Sequence, residues 1–154
     1  EPFASTYVEL VKNLNANSVS VQAVNAALSD ATTIEALKLV SWEPGYTAST
    51  EADPDRFGQA IAEQPCMMFR GDDFAQYFGP PTLMKVDVDG AERAVIAGCA
   101  GILGGVRSLL VEVEGDLERT FVDDIAKPLE KAGLFEASIP EPSSGRNRLF
   151  IRRD

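Results

Sequence analysis

The stretch Leu83-Met84-Lys85-Val86-Asp87-Val88-Asp89-Gly90-Ala91-Glu92 decides how this chain folds. It follows the breaker Gly79-Pro80-Pro81, is aliphatic and β-branched from Leu83 to Val88, and is short enough for a strand. Met84, Val86 and Val88 then share one face, and Lys85, Asp87 and Asp89 share the other. A strand covered on both faces in a parallel sheet carries charges only where something requires them. Gly90 ends the strand. Val95, Ile96, Cys99, Ile102 and Leu103 then recur at a spacing that predicts a helix over 91–103.

The next apolar run, 106–114, repeats the arrangement, with Leu109, Leu110, Val111 and Val113 core-like and Glu112 and Glu114 toward its end. Adjacent parallel strands bring these acids beside Asp87 and Asp89, at the carboxyl ends of the strands, where open α/β sheets bind ligands. The alternative is that Lys85 pairs with one acid and the others are solvated strand ends. Clustered as oxygen ligands, Asp87, Asp89 and Glu112 or Glu114 also suit a hard cation such as magnesium, as a minor option.

Composition sets the limits. A chain of 154 residues suits one domain, 1–154, with a sizeable core. With 24 acidic against 14 basic residues and a formal net charge of −10, a nucleic-acid backbone is not an expected partner. Arg146, Arg148, Arg152 and Arg153 form one basic cluster, which strand-end pairing explains. Cys66 and Cys99 are too few and too far apart for a metal knuckle or a disulfide framework, and read as buried thiols. There is no histidine, so imidazole bases, Ser-His-Asp triads and His-ligated zinc are excluded. Acid–base chemistry here belongs to carboxylates, Lys or Tyr. No apolar run has the length of a membrane span. The chain opens on Glu rather than Met, so it is expected to be processed, a fragment or incompletely represented.

Phe3, Tyr7, Leu10, Val11 and Leu14 recur at helical spacing, with Ser5 or Thr6 as cap and Asn13, Asn15 and Asn17 at the exit. Val19, Val21 and Val24 read as a strand entering a turn over 26–30, and 33–40 as a second strand. From Ser41 to about Ala60, Pro44, Gly45, Pro54 and Gly58 interrupt any period. Trp42 and Tyr46 of this long loop are candidates for a substrate-covering lid; the plainer alternative is a surface loop anchored by a buried Trp.

Residues 66–69 read as a short strand, and Asp72 or Asp73 as the cap of a helical turn through Phe74, Tyr77 and Phe78. Leu117, Phe121, Ile125 and Leu129 lie on one helix face, Pro128 should kink or split that helix, and Gly133 should end it. Two closing strands, 135–139 and 149–152, flank a turn over 140–145. The glycines at 98, 101, 104 and 105 follow a helix, which argues for a helix end over a phosphate loop. Alternating strands and helices with a final strand pair predict an α/β sheet, mostly parallel with an antiparallel edge.

The order of these pieces resembles the FkbM-type family of S-adenosylmethionine-dependent methyltransferases, whose corresponding strand reads roughly I-K-I-D-V-E-G-A-E; Asp89 stands here where Glu is commoner. Glu1-Pro2 is similar to the acidic E-P ending the family's second strand. Asn25-Ala26-Ala27-Leu28-Ser29-Asp30 is similar to its N-x-A-L-S-D segment, and Asn147-Arg148-Leu149-Phe150-Ile151-Arg152 to its final N-x-L-F-x-R strand. The resemblance implies a Rossmann-like methyltransferase sheet and O-methyl transfer to a hydroxyl of a sugar or other small molecule. It implies S-adenosylmethionine as cofactor, with Glu1 on its ribose, the turn of Ala27, Leu28 and Asp30 bordering its adenine, and Asp87 beside its methionine end.

Asp87, Asp89 or Lys85 would serve as the base for the acceptor proton. Glu92, Glu112, Glu114 and Trp42 would lie around the substrate or behind the residues that touch it. The family's first strand and glycine-rich loop lie upstream of E-P, and no G-x-G follows a strand in this chain. A missing upstream segment or a protein partner is therefore expected to cover an exposed sheet edge. A non-catalytic, methyltransferase-like interaction module within a larger assembly is the alternative function.

Overall fold

A computed structural model describes residues 1–46, 48–50, 58–113, 117–138 and 146–153. The protein is α/β, with two mixed sheets of four strands each. It divides into two compact units, Glu1–Ala27 with Thr32–Met68, and Leu28–Ala31 with Phe69–Asp154.

In the first unit, helix α1 (Ala4–Ala16) starts at Phe3, whose ring is buried with Leu37, Leu39, Cys66 and Met68. Neither Ser5 nor Thr6 caps it, since both lie inside the helix; instead Glu1 Oε1 accepts the Phe3 N–H at 2.9 Å. Thr6 Oγ1 accepts from Gly45 N at 3.0 Å. The expected strand over Val19–Val24 is absent, and Val19 and Val21 are exposed. Alternation yields a half-buried strand only where a ladder receives it, and none does so here.

The turn expected over 26–30 is instead largely strand β1 (Ala27–Ser29). It enters a sheet with β2 (Thr33–Leu39), β3 (Ala48–Ser49) and β4 (Ala62–Arg70), in the order β1-β4-β2-β3. β2 runs antiparallel to β3 and β4, with Leu37 opposite Gln64. β4 is longer than the four residues expected, and its Pro65, a residue that usually stops a strand, stands opposite Ala36.

In the second unit, helix α2 (Gly71–Phe78) is followed by β5 (Leu83–Val86), α3 (Glu92–Gly98), a 3₁₀ turn (Leu103–Gly105) and β6 (Ser108–Glu112). After these come α4 (Leu117–Phe121), a π turn (Val122–Ala126), α5 (Lys127–Lys131), β7 (Leu134–Ala137) and β8 (Asn147–Arg152). The sheet order is β5-β6-β8-β7; the β5–β6 pairing is parallel and β8 is antiparallel to both of its neighbours, so β5, β6 and β7 run one way and β8 the other. The expectation of a single sheet with an antiparallel edge is thereby corrected: there are two mixed sheets, and in this one the antiparallel strand lies inside. The closing hairpin is inserted so that β8 lies between β6 and β7, and β2 pairs with neighbours running the opposite way.

Val95, Ile96, Leu109, Val111, Ile125, Leu129, Leu134 and Phe150 fill one core. The expected split at Pro128 appears as the π turn (Val122–Ala126) directly before α5, so the helical path runs on from α4 to α5 with its hydrogen-bond pattern widened ahead of the residue that lacks an N–H. Gly133 ends α5, donating its N–H to Glu130 O at 2.9 Å. The turn over 140–145 and most of 51–60 lie outside the described residues.

Helix α3 stops five residues before its expected end. A Cβ on Gly98 would meet the Ser29 carbonyl oxygen, so this contact requires glycine. Gly98→Ala is expected to destabilise the fold by about 2–3 kcal/mol, because backbone rather than a flexible side chain must move; urea unfolding of the variant checks it. Asp72 does not cap α2. Its Oδ1 accepts from Gly101 N (2.9 Å) and Ile102 N (3.2 Å), and its Oδ2 from Arg70 Nη2 (2.8 Å), so it fastens the turn after α3.

The basic cluster is absorbed by the fold. Arg152 donates to the carbonyl oxygens of Val106 (2.8 Å), Ala132 (3.0 Å) and Leu103 (2.6 Å), while Arg148 pairs with Glu136 at 3.2 Å. Both cysteines are buried free thiols, and burial first, then the Asp72 charge, pushes Cys99 up to about 11.

Candidate active site

β5 is two residues shorter than its apolar run. Its ladder ends at Val86, opposite Val111 of β6, so Asp87 follows one strand end while Glu112 closes the adjacent parallel one. The chain then turns sharply, with Asp89 at φ 53° and Gly90 at φ 113°. The Asp89 value lies in the left-handed region, which Asp tolerates better than most residues. Glycine takes the φ that follows at no side-chain cost.

The turn is fixed by Glu92, which is 2% exposed and the one buried charged residue among those described. Its Oε1 accepts the Val88 N–H at 3.2 Å, and its Oε2 accepts the Gly90 N–H at 3.1 Å. A buried carboxylate is tolerated where such N–H groups replace water. Glu92 thus sits behind the turn.

Lys85 Nζ pairs with Asp87 Oδ2. Hydrogen bonding from Lys85 first, then from Glu112, and the positive charges of Lys85 and Arg146 hold the Asp87 carboxyl below its ordinary value of 3.8. Arg146 Nε lies 3.6 Å from Glu112 Oε1. Sequence reasoning assigned Arg146 only to a basic cluster. The signal that finds it is register: Asn147 stands opposite Glu112, which brings the preceding residue to the acidic strand end.

Because the folded Asp87 value is depressed, its stabilisation is complete above the unfolded value near 3.8 and is lost as pH falls through the lower folded one. Lys85 and Asp87 are 58% and 38% exposed, so solvent screening limits the effect to about 1 kcal/mol or less. Acid titration of wild type against Asp87→Asn is expected to show a small stability gap at neutral pH that closes at the acid end.

The candidate residues fall in both units. Leu28, Asp30, Lys85, Asp87, Asp89, Glu92 and Glu112 belong to the second. Of these, Lys85, Asp87 and Glu112 come together, and Leu28 packs against the core of that unit. Asp30 Oδ1 accepts from Ser29 Oγ at 3.3 Å. Among the described residues, no group of three acids converges as a cation site. Glu114 lies outside the described residues.

Glu1, Ala27 and Trp42 belong to the first unit. Ala27 packs on its core, and Glu1 lends one carboxylate oxygen to Phe3. Trp42 is 59% exposed, which removes the alternative of a loop anchored by a buried Trp.

Chemically, the ends of β5 and β6 present an ionised carboxylate flanked by an ammonium and a guanidinium. That set can accept a proton from a hydroxyl or hold a ligand's cationic group. A carboxylate such as Glu1 suits paired ribose hydroxyls. Comparison with protein-family models, with characterised proteins and with solved structures finds no match to this chain. Among the described residues, no helix is long and apolar enough to cross a membrane.

Proposed function

We propose that this chain is methyltransferase-like, of the FkbM type, and takes part in S-adenosylmethionine-dependent O-methylation of a hydroxyl on a sugar or other small molecule. One observation carries the proposal: the motif Lys85-Val86-Asp87-Val88-Asp89-Gly90-Ala91-Glu92 forms a parallel strand end, a left-handed turn and a helix start, with Asp87 paired to Lys85 beside Glu112. Further support comes from the closing Asn147-Arg148-Leu149-Phe150-Ile151-Arg152, which forms β8, antiparallel to both of its neighbours β6 and β7.

The acidic strand ends fit the cationic methionine end of the cofactor by charge. When bound, the cofactor supplies an electrophilic methyl group on its sulfonium. Asp87 accepts the acceptor's hydroxyl proton on a carboxylate oxygen, and the Lys85 ammonium beside it extends the ionised range of that carboxylate toward acid pH. Methyl transfer demands little more than orientation and a proton acceptor.

Incubation of the protein with methyl-labelled S-adenosylmethionine and a panel of glycosides tests the proposal. Label transferred to a hydroxyl is the expected result. Cofactor binding without transfer to any member would favour a non-catalytic module instead.

A further inference from the structure

We infer that Glu92 is a positioning residue of the candidate site: its buried carboxylate fixes the Val88 and Gly90 peptides and thereby aims the Asp87 side chain at Lys85 and Glu112. The Val88 N–H belongs to the peptide that leaves Asp87, so the bond from it to Glu92 Oε1 at 3.2 Å sets the Asp87 backbone angle. The Gly90 N–H, 3.3 Å from Oε1 and 3.1 Å from Oε2, holds the other side of Asp89, whose φ of 53° is one that an unrestrained chain rarely keeps. Glu92 begins α3, which Val95 and Ile96 root in the core, so the carboxylate ties the turn to a core-packed helix. Glutamate rather than glutamine is required. Both partners donate, and an amide nitrogen turned toward either leaves two donors facing each other.

The role of the aimed carboxylate in proton transfer rests on the methyltransferase reading; the aiming itself does not. Glu92→Gln is expected to speed amide exchange of Val88 and Gly90 about 10-fold or more, with the β6 amides of Leu109 and Val111 unchanged. A local structural role alone gives that much. Positioning requires in addition that the Asp87 titration, followed by its carboxyl carbon resonance, move up toward the ordinary carboxylate range. The charged groups facing Asp87 are Lys85, Glu112 and Arg146, and the substitution alters none of them.

An Asp87 midpoint identical to wild type, with faster Val88 and Gly90 exchange, overturns the inference. Should Glu92→Gln not fold, the double variant with Asp89→Gly, which relaxes the positive φ, is read in the same two ways. S-adenosylhomocysteine titration of the wild type separates the two proposals. An Asp87 shift in a protein that binds no cofactor upholds the positioning and counts against the methyltransferase reading.

Discussion

Asp87→Asn is expected to slow methyl transfer to a glycoside acceptor by about 10²–10⁴-fold, the usual effect of losing a positioned base. The amide keeps the shape of the side chain and can still meet Glu112, so cofactor affinity should change far less than turnover. A companion substitution gives the sign of the pH dependence. Lys85 is the leading cause of the lowered Asp87 value, so Lys85→Met lets Asp87 protonate at higher pH. The acid limb of the rate profile should move to higher pH while the rate at alkaline pH is retained. Unaltered turnover in Asp87→Asn removes this residue from the chemistry, and an unmoved acid limb in Lys85→Met removes Lys85 from tuning it.

Phe150→Ala is expected to cost about 3–5 kcal/mol, the range for deleting a large aromatic side chain from a core. Phe150 is fully buried on β8, opposite Leu109 of β6, and its ring lies 6.1 Å from that of Phe121. A void there touches the sheet and the helical segment together. For a chain of this size the midpoint should fall by about 6–20 °C. The neighbouring Ile151 is 40% exposed, so Ile151→Ala should cost under about 1 kcal/mol. Equal shifts in the two variants would contradict the described core.

Apolar periodicity was most informative where one contiguous stretch forms its own element. The strand, turn and helix from Leu83 onward, β2, α1 and the helix broken at Pro128 follow from local spacing and breakers. The strand pairing was not legible to the same degree. Whether β8 lies at an edge or between β6 and β7 depends on long-range register, which a period of two residues does not encode. Val19 and Val21 alternate as well as β2 does, yet are exposed because nothing receives them. Strand β4 was underestimated because Pro65 argues against a strand interior.

In the candidate site, the adjacency of Asp87 and Glu112 followed from two successive apolar runs ending in acids. The roles of Glu92, Arg146 and Asp72 did not follow. Each acts on a different element or on the far side of a turn: Glu92 on the peptides of Val88 and Gly90, Arg146 beside Glu112, and Asp72 of α2 on the N–H groups of Gly101 and Ile102 after α3. Such contacts depend on backbone direction more than on residue spacing.

Calorimetric titration of this chain with S-adenosylmethionine, and in parallel with S-adenosylhomocysteine, shows whether it holds the cofactor. Saturable binding of both is expected, with about micromolar affinity, near −8 kcal/mol. No heat of binding from a chain shown to be folded would contradict the methyltransferase reading.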